Sequence, residues 1–119
     1  MIAPKVWLRL EGGVVLVASV IIYREIDAGW LLFVLLFLVP DVSFAGYLGG
    51  NRIGALVYNL VHTYLWPVLL LLVGFFSSNL TLTAISFIWV AHIGFDRMLG
   101  FGLKYETAFA DTHLNQLKR

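Results

Sequence analysis

The chain of 119 residues is 61% hydrophobic and 13% charged, with a formal net charge of +1, and its mean hydropathy is +0.90. A water-soluble globule of this size leaves much of its area facing solvent and could not hide so much apolar surface, so a soluble domain is excluded and the solvent is lipid. The small net charge and the lack of a basic stripe argue against a nucleic-acid partner, and the absence of cysteine removes disulfides, thiolate metal ligands and cysteine nucleophiles together.

Crossing a bilayer takes roughly 20 apolar residues, each rising about 1.5 Å. Residues 8–23 form the first such stretch. It has a basic start and an apolar middle, but no small-residue cleavage site follows it, so it is expected to be a membrane helix and not a secretory signal. Pro4 favours a first helical turn, which would draw Glu11 deeper into the helix.

The link 24–29 leads to a second span over 30–48, with Trp30 at its interface. Pro40 removes a backbone donor and crowds the preceding turn, which predicts a bend beside Asp41. The third span, 53–76, carries Asn59 and His62 and should bend at Pro67. After a short link at 77–79 the fourth span, 80–101, holds His92 and Asp96 at i and i+4, on one helical face, followed by Arg97. Gly100 and Gly102 are stop signals for that helix, and Gly12, Gly13, Gly74 and Gly94 allow backbones to approach where helices cross. Residues 102–119 form a short tail.

Links this short force neighbouring helices antiparallel, predicting an all-α, up-down-up-down bundle of four transmembrane helices in a single domain, 1–119. Lys5, Arg9, Arg52, Arg97, Lys104, Lys118 and Arg119 fall on the side of the termini and Arg24 on the other. Basic residues near helix ends stay inside, so both termini are expected in the cytoplasm.

Counting from the cytoplasmic end of each helix gives depth. Asp96 lies about 5 residues in and His92 about 9, roughly 8 and 14 Å; Asn59, His62 and Asp41 fall at similar depths, and Glu11 is shallower. The outer half carries only small hydroxyls, at Ser19, Thr81, Thr83 and Ser86. Ionisable groups exposed to lipid cost at least a few kcal/mol each, so these faces are expected to turn inward around one polar pocket open to the cytoplasm.

Two or three imidazoles with two or three carboxylates suit zinc, iron or manganese, with His62, His92 and Asp96 as ligands. The spacings match no standard metal motif, and the same groups without metal could run acid/base chemistry: a buried, protonated Asp41 or Glu11 can protonate an alkene or epoxide. Composition leaves the two open. Arg97 and Lys104 either snorkel to headgroups or grip an anionic group of a substrate, and Tyr105 beside Lys104 could donate a proton.

The strings L-R-L-E-G (8–12), P-D (40 and 41), Y-N-L-V-H-T-Y (58–64), A-H-I-G-F-D-R-M-L-G-F-G-L-K-Y (91–105) and D-T-H-L (111–114) together resemble a family of small bacterial four-helix membrane proteins known only as a domain of unknown function. The resemblance covers nearly the whole chain. It implies a multi-pass protein of the bacterial inner membrane, and it places Glu11, Asp41, Asn59, His62, His92, Asp96, Arg97, Lys104, Tyr105, Asp111 and His113 within the family's signature strings. It brings no reaction, substrate or cofactor, but it favours Asp111 and His113 closing the mouth of the pocket.

The leading expectation is a small membrane enzyme acting on a lipid or isoprenoid-like substrate from the inner leaflet. Glu11, Asp41, Asn59, His62, His92 and Asp96 would be its catalytic groups, and Arg97, Lys104, Tyr105, Asp111 and His113 would hold the substrate. The rivals are a small proton-coupled transporter or ion pathway, which calls for polar groups near the midplane, and a structural subunit whose charges only pair helices. A homo-oligomer is compatible with each.

Overall fold

The computed structural model describes residues 3–103. The first helix, α1, runs from Pro4 to Ile26. Its opening residue is a proline, whose missing N–H would be unpaired in a first turn anyway. It ends where Asp27 turns left-handed (φ 61°).

The second crossing is interrupted. An α-helix, α2, covers Trp30–Phe37 and gives way after Leu38 to a 3-10 segment, Val39–Gly49. The cause is Pro40, which has no N–H for the α ladder and whose ring crowds the carbonyl one turn back. The tighter pattern takes over, with Asp41 N–H donating to the Leu38 carbonyl at 3.0 Å. Eleven residues is long for a 3-10 run. Packing on the next helix supports it: a side chain at Gly54 would overlap the Tyr47 ring, and one at Gly46 would press on Val57.

The third crossing breaks as well, into α3 (Asn51–His62) and α4 (Leu65–Phe76), with Thr63 extended between them. Pro67 cannot donate to the carbonyl four residues back, so the ladder fails there. The break frees carbonyls in apolar surroundings, where each needs a partner. The Trp89 indole donates to the Val61 carbonyl at 2.6 Å and Arg97 Nη2 donates to the His62 carbonyl at 3.2 Å.

Helix α5, Leu80–Leu99, is the hub. Asn79 caps its start, Oδ1 accepting from Leu82 N–H at 3.0 Å. At its end Gly100 adopts φ +97°, and the N–H groups of Gly100 and Phe101 return to the carbonyls of Arg97 and Asp96. That pair of bonds is a Schellman stop. About 44% of the α5 span is buried, against 11–17% for the others.

Helix α1 crosses α5 backbone to backbone. A Cβ on Gly12 would lie 2.5 Å from Arg97 Cβ, and one on Gly94 would lie 2.8 Å from the Gly12 carbonyl. Gly74 meets Thr83 in the same way on α4, whereas Gly13 has ordinary contact with Met98. The pairs Arg9 with Met98 and Leu16 with Gly94 show that α1 and α5 run in opposite senses. At the other end Tyr23, Ala84 and Ile88 form a buried cluster backed by Phe33 and Phe37.

Four stretches, Pro4–Ile26, Trp30–Gly49, Asn51–Phe76 and Leu80–Leu99, are long and apolar enough to cross a membrane. The molecule measures 41 × 41 × 24 Å, so it is about two helix diameters thick. Its outward faces carry large apolar side chains such as Leu31, Val34, Leu35 and Val73, as a lipid-facing surface requires.

Candidate functional site

The 3-10 segment packs directly on α3, and α5 brings its own residues to their junction. The 3-10 segment delivers Asp41, the last turn of α3 delivers His62, and consecutive turns of α5 deliver His92 and Asp96. One ligand-type atom from each lies within 4.8 Å of all the others. Both imidazoles are fully buried, and the side chains of Asp96 and Asp41 are 12% and 36% exposed. Asp41 therefore stands at the open edge.

The distances are specific. His62 Nε2 lies 3.2 Å from His92 Nε2, 3.6 Å from Asp41 Oδ1 and 3.4 Å from Asp96 Oδ2. His92 Nε2 lies 3.2 Å from Asp41 Oδ1 and 3.3 Å from Asp96 Oδ2. Five of the six edges of the figure are therefore 3.2–3.6 Å. An ion with bonds of about 2.0–2.1 Å to four tetrahedral ligands has edges of about 3.3 Å.

Hydrogen bonding fixes what these atoms are. His62 Nδ1 donates to the Tyr58 carbonyl at 2.9 Å, since a carbonyl can only accept. In the neutral ring this leaves Nε2 as a bare lone pair, the form that binds metals. That lone pair faces two carboxylate oxygens and a second imidazole. A single proton on His92 Nε2 can serve only one of these acceptors at a time, so the group calls for further positive charge, from protons or from a cation. His92 Nδ1 is buried without a hydrogen-bond partner of good geometry.

The cradle is aromatic. Tyr58 stacks on His62 with ring centroids 3.7 Å apart and planes 6° apart, and Phe37 meets His92 edge-on at 5.3 Å. Sequence reasoning passed over both residues. Tyr58 was within reach, because it lies one turn before His62 on the same helical face.

The remaining expected residues are placed as follows. Asn59 is half-buried on α3 and engaged with neighbours. Glu11 is exposed on α1 and stands outside the four-residue group. Arg97 is buried and committed to backbone: besides the His62 carbonyl it donates to the Phe101 carbonyl at 3.3 Å and lies over the Tyr64 ring at 5.8 Å. Lys104, Tyr105, Asp111 and His113 lie outside the described residues.

A protein-family description, "Domain of unknown function (DUF4260)", matches residues 5–117, which takes in every segment that contributes to the site. The chain belongs to this family. No curated protein and no solved structure matches it. Membership of DUF4260 agrees with the resemblance seen in the signature strings and carries no chemistry with it. The functional argument for this DUF4260 chain rests on the buried His/Asp group itself.

Proposed function

We propose that this protein is a membrane-embedded metalloenzyme in which Asp41, His62, His92 and Asp96 hold one divalent transition ion, iron, manganese or zinc, and act on a lipid or isoprenoid-like substrate. The observation that carries the reading is the near-tetrahedral convergence of four ligand atoms from three separate crossings. Charge supports it too. Two carboxylates in apolar surroundings are costly alone, and a divalent cation neutralises both.

The donor set constrains the chemistry. Four protein ligands fill a tetrahedral zinc, whereas a six-coordinate iron or manganese keeps open positions for water or substrate. The partly exposed Asp41 would leave those positions open to an entering ligand. A bound ion would polarise a substrate oxygen or activate water, and a carboxylate not engaged with the metal would exchange a proton with the substrate. Hydrolysis, isomerisation and cyclisation all draw on these two capacities. By the distribution of basic residues the site lies in the cytoplasmic half of a bacterial inner membrane.

A second reading, a proton- or cation-coupled carrier, is favoured by one observation: two interrupted helices meet at the ionisable cluster, as discontinuous helices do around transport sites. Metal analysis of detergent-purified protein tests the first reading. About one transition ion per chain is expected in wild type, lost in both His92→Ala and Asp96→Ala. A wild-type protein that carries no such ion and binds none on titration sinks it, and a cation-dependent proton flux in liposomes would install the carrier.

A further inference from the structure

A cavity of about 530 Å³ lies beside the cluster without sharing a lining residue with it. Its walls come from the same three crossings that supply the ligands. Pro40 lines it and precedes Asp41; Val61 lines it and precedes His62; Ile88 lines it one turn before His92. The cavity thus flanks the group in sequence, and it runs along α5 away from the site. It lies between the pair formed by the 3-10 segment and α3 on one side and α5 on the other.

Its lining is apolar with one exception. Ser43 lines it too, the residue being 8% exposed, but its Oγ is enclosed and does not open onto the cavity. At the rim, Val39 and Val42 are 51% and 71% exposed on the outward face of the 3-10 segment, so the cavity opens sideways at membrane depth. Apolar cavities do not hold water well. The solvent that reaches this one is hydrocarbon.

We infer that the cavity is the binding site for the hydrocarbon chain of the substrate, a single acyl or prenyl chain that enters sideways from the bilayer between Val39 and Val42, with its polar end directed towards Asp41, the residue that follows Pro40 of the cavity wall. Its volume is within the range of pockets that hold small organic ligands. Lipid is as apolar as the walls, so transfer of the chain from bilayer to cavity contributes little affinity. The cavity instead sets register: it fixes how far along the chain the polar end falls, and the cluster provides the hold. This assignment rests on the cluster being the reacting site, but its test reads the cavity directly.

The test uses the full-length protein in vesicles of phosphatidylethanolamine and phosphatidylglycerol, with a long-chain primary alcohol carrying a diazirine near its methyl end. After photolysis, labelled residues are mapped by mass spectrometry with and without excess unlabelled alcohol, and metal content is measured on the same sample. Competable labelling concentrated on residues 36–43, 57–61 and 85–89, and lost in Ile85→Phe and Val57→Phe while metal content holds, is the expected result. Uniform, non-competable labelling that extends equally to Leu31, Leu69 and Val73 overturns the assignment, as does unchanged labelling in folded Ile85→Phe. Metal loss with intact cavity labelling would remove the metal reading and leave the chain site standing.

Discussion

Nε2 of His62 and Nε2 of His92 face each other at 3.2 Å with two carboxylate oxygens beside them. Protons and a metal ion compete for the same lone pairs, and metal binding releases protons from the ligands. Acidification should therefore strip the metal, and the group should recover it on return to neutral pH. Metal retained after desalting at stepped pH checks the sign: retention that rises as pH falls would contradict ligation by imidazole and carboxylate.

The Trp89 indole and the Arg97 guanidinium hold the two carbonyls freed by the break in the third crossing. Trp89→Phe keeps an aromatic ring and removes the donor, leaving the part-buried Val61 carbonyl without it at a cost of about 1–3 kcal/mol. Arg97→Lys replaces a planar fork with a point charge that cannot reproduce the geometry. Both variants should unfold at lower denaturant or temperature than wild type, and Arg97→Lys should also bind metal more weakly because the His62 carbonyl sits on the ligand residue itself. Arg97→Lys with wild-type metal affinity would reduce Arg97 to a purely structural role.

Much of this was legible in the sequence because membrane crossing is a matter of length and composition. Four spans, the bends at Pro40 and Pro67, the stop at Gly100 and the pairing of His92 with Asp96 all follow from local rules. Counting residues also put Asp41, His62, His92 and Asp96 in one layer, and these four come together in the structure. What it could not give was azimuth. In lipid a helix is apolar on most sides, so no amphipathic stripe says which face meets a neighbour. Glu11 stands outside the four-residue group, and the close contact of Gly12 with Gly94 that sets the rotation of α1 emerges only in the packed structure. The eleven-residue 3-10 run was illegible for a similar reason: Pro40 announces a bend, but the persistence of the tight helix depends on Tyr47 lying against Gly54.

Gly12 and Gly13 are neighbours with opposite prospects. A methyl group at Gly12 would collide with Arg97 Cβ and the Met98 backbone nitrogen, at 2.5 and 2.7 Å, whereas one at Gly13 would meet only Met98 Sδ at 3.4 Å. Gly12→Ala, and Gly94→Ala on the facing helix, should destabilise by about 1–3 kcal/mol through forced separation of α1 and α5. Gly13→Ala should be close to neutral. Thermal melts of the three variants in one detergent decide the matter, and equal melting temperatures for Gly12→Ala and Gly13→Ala would contradict the crossing.

Pro40 is the residue whose replacement should separate stability from function most cleanly. Alanine restores an N–H and removes the ring that blocks the α ladder, so α2 can continue into the segment that is now 3-10. A 3-10 helix turns about 120° per residue and an α-helix about 100°, so over the three residues from Leu38 to Asp41 the carboxylate would swing by about 60°. That takes Asp41 off the point shared with His62 and His92. Pro40→Ala should therefore retain or gain helix content by circular dichroism and hold its melting temperature, while its metal content falls towards that of Asp41→Ala. If Pro40→Ala binds metal as wild type does, the interruption is not what aims Asp41, and the broken helix has no part in positioning the carboxylate.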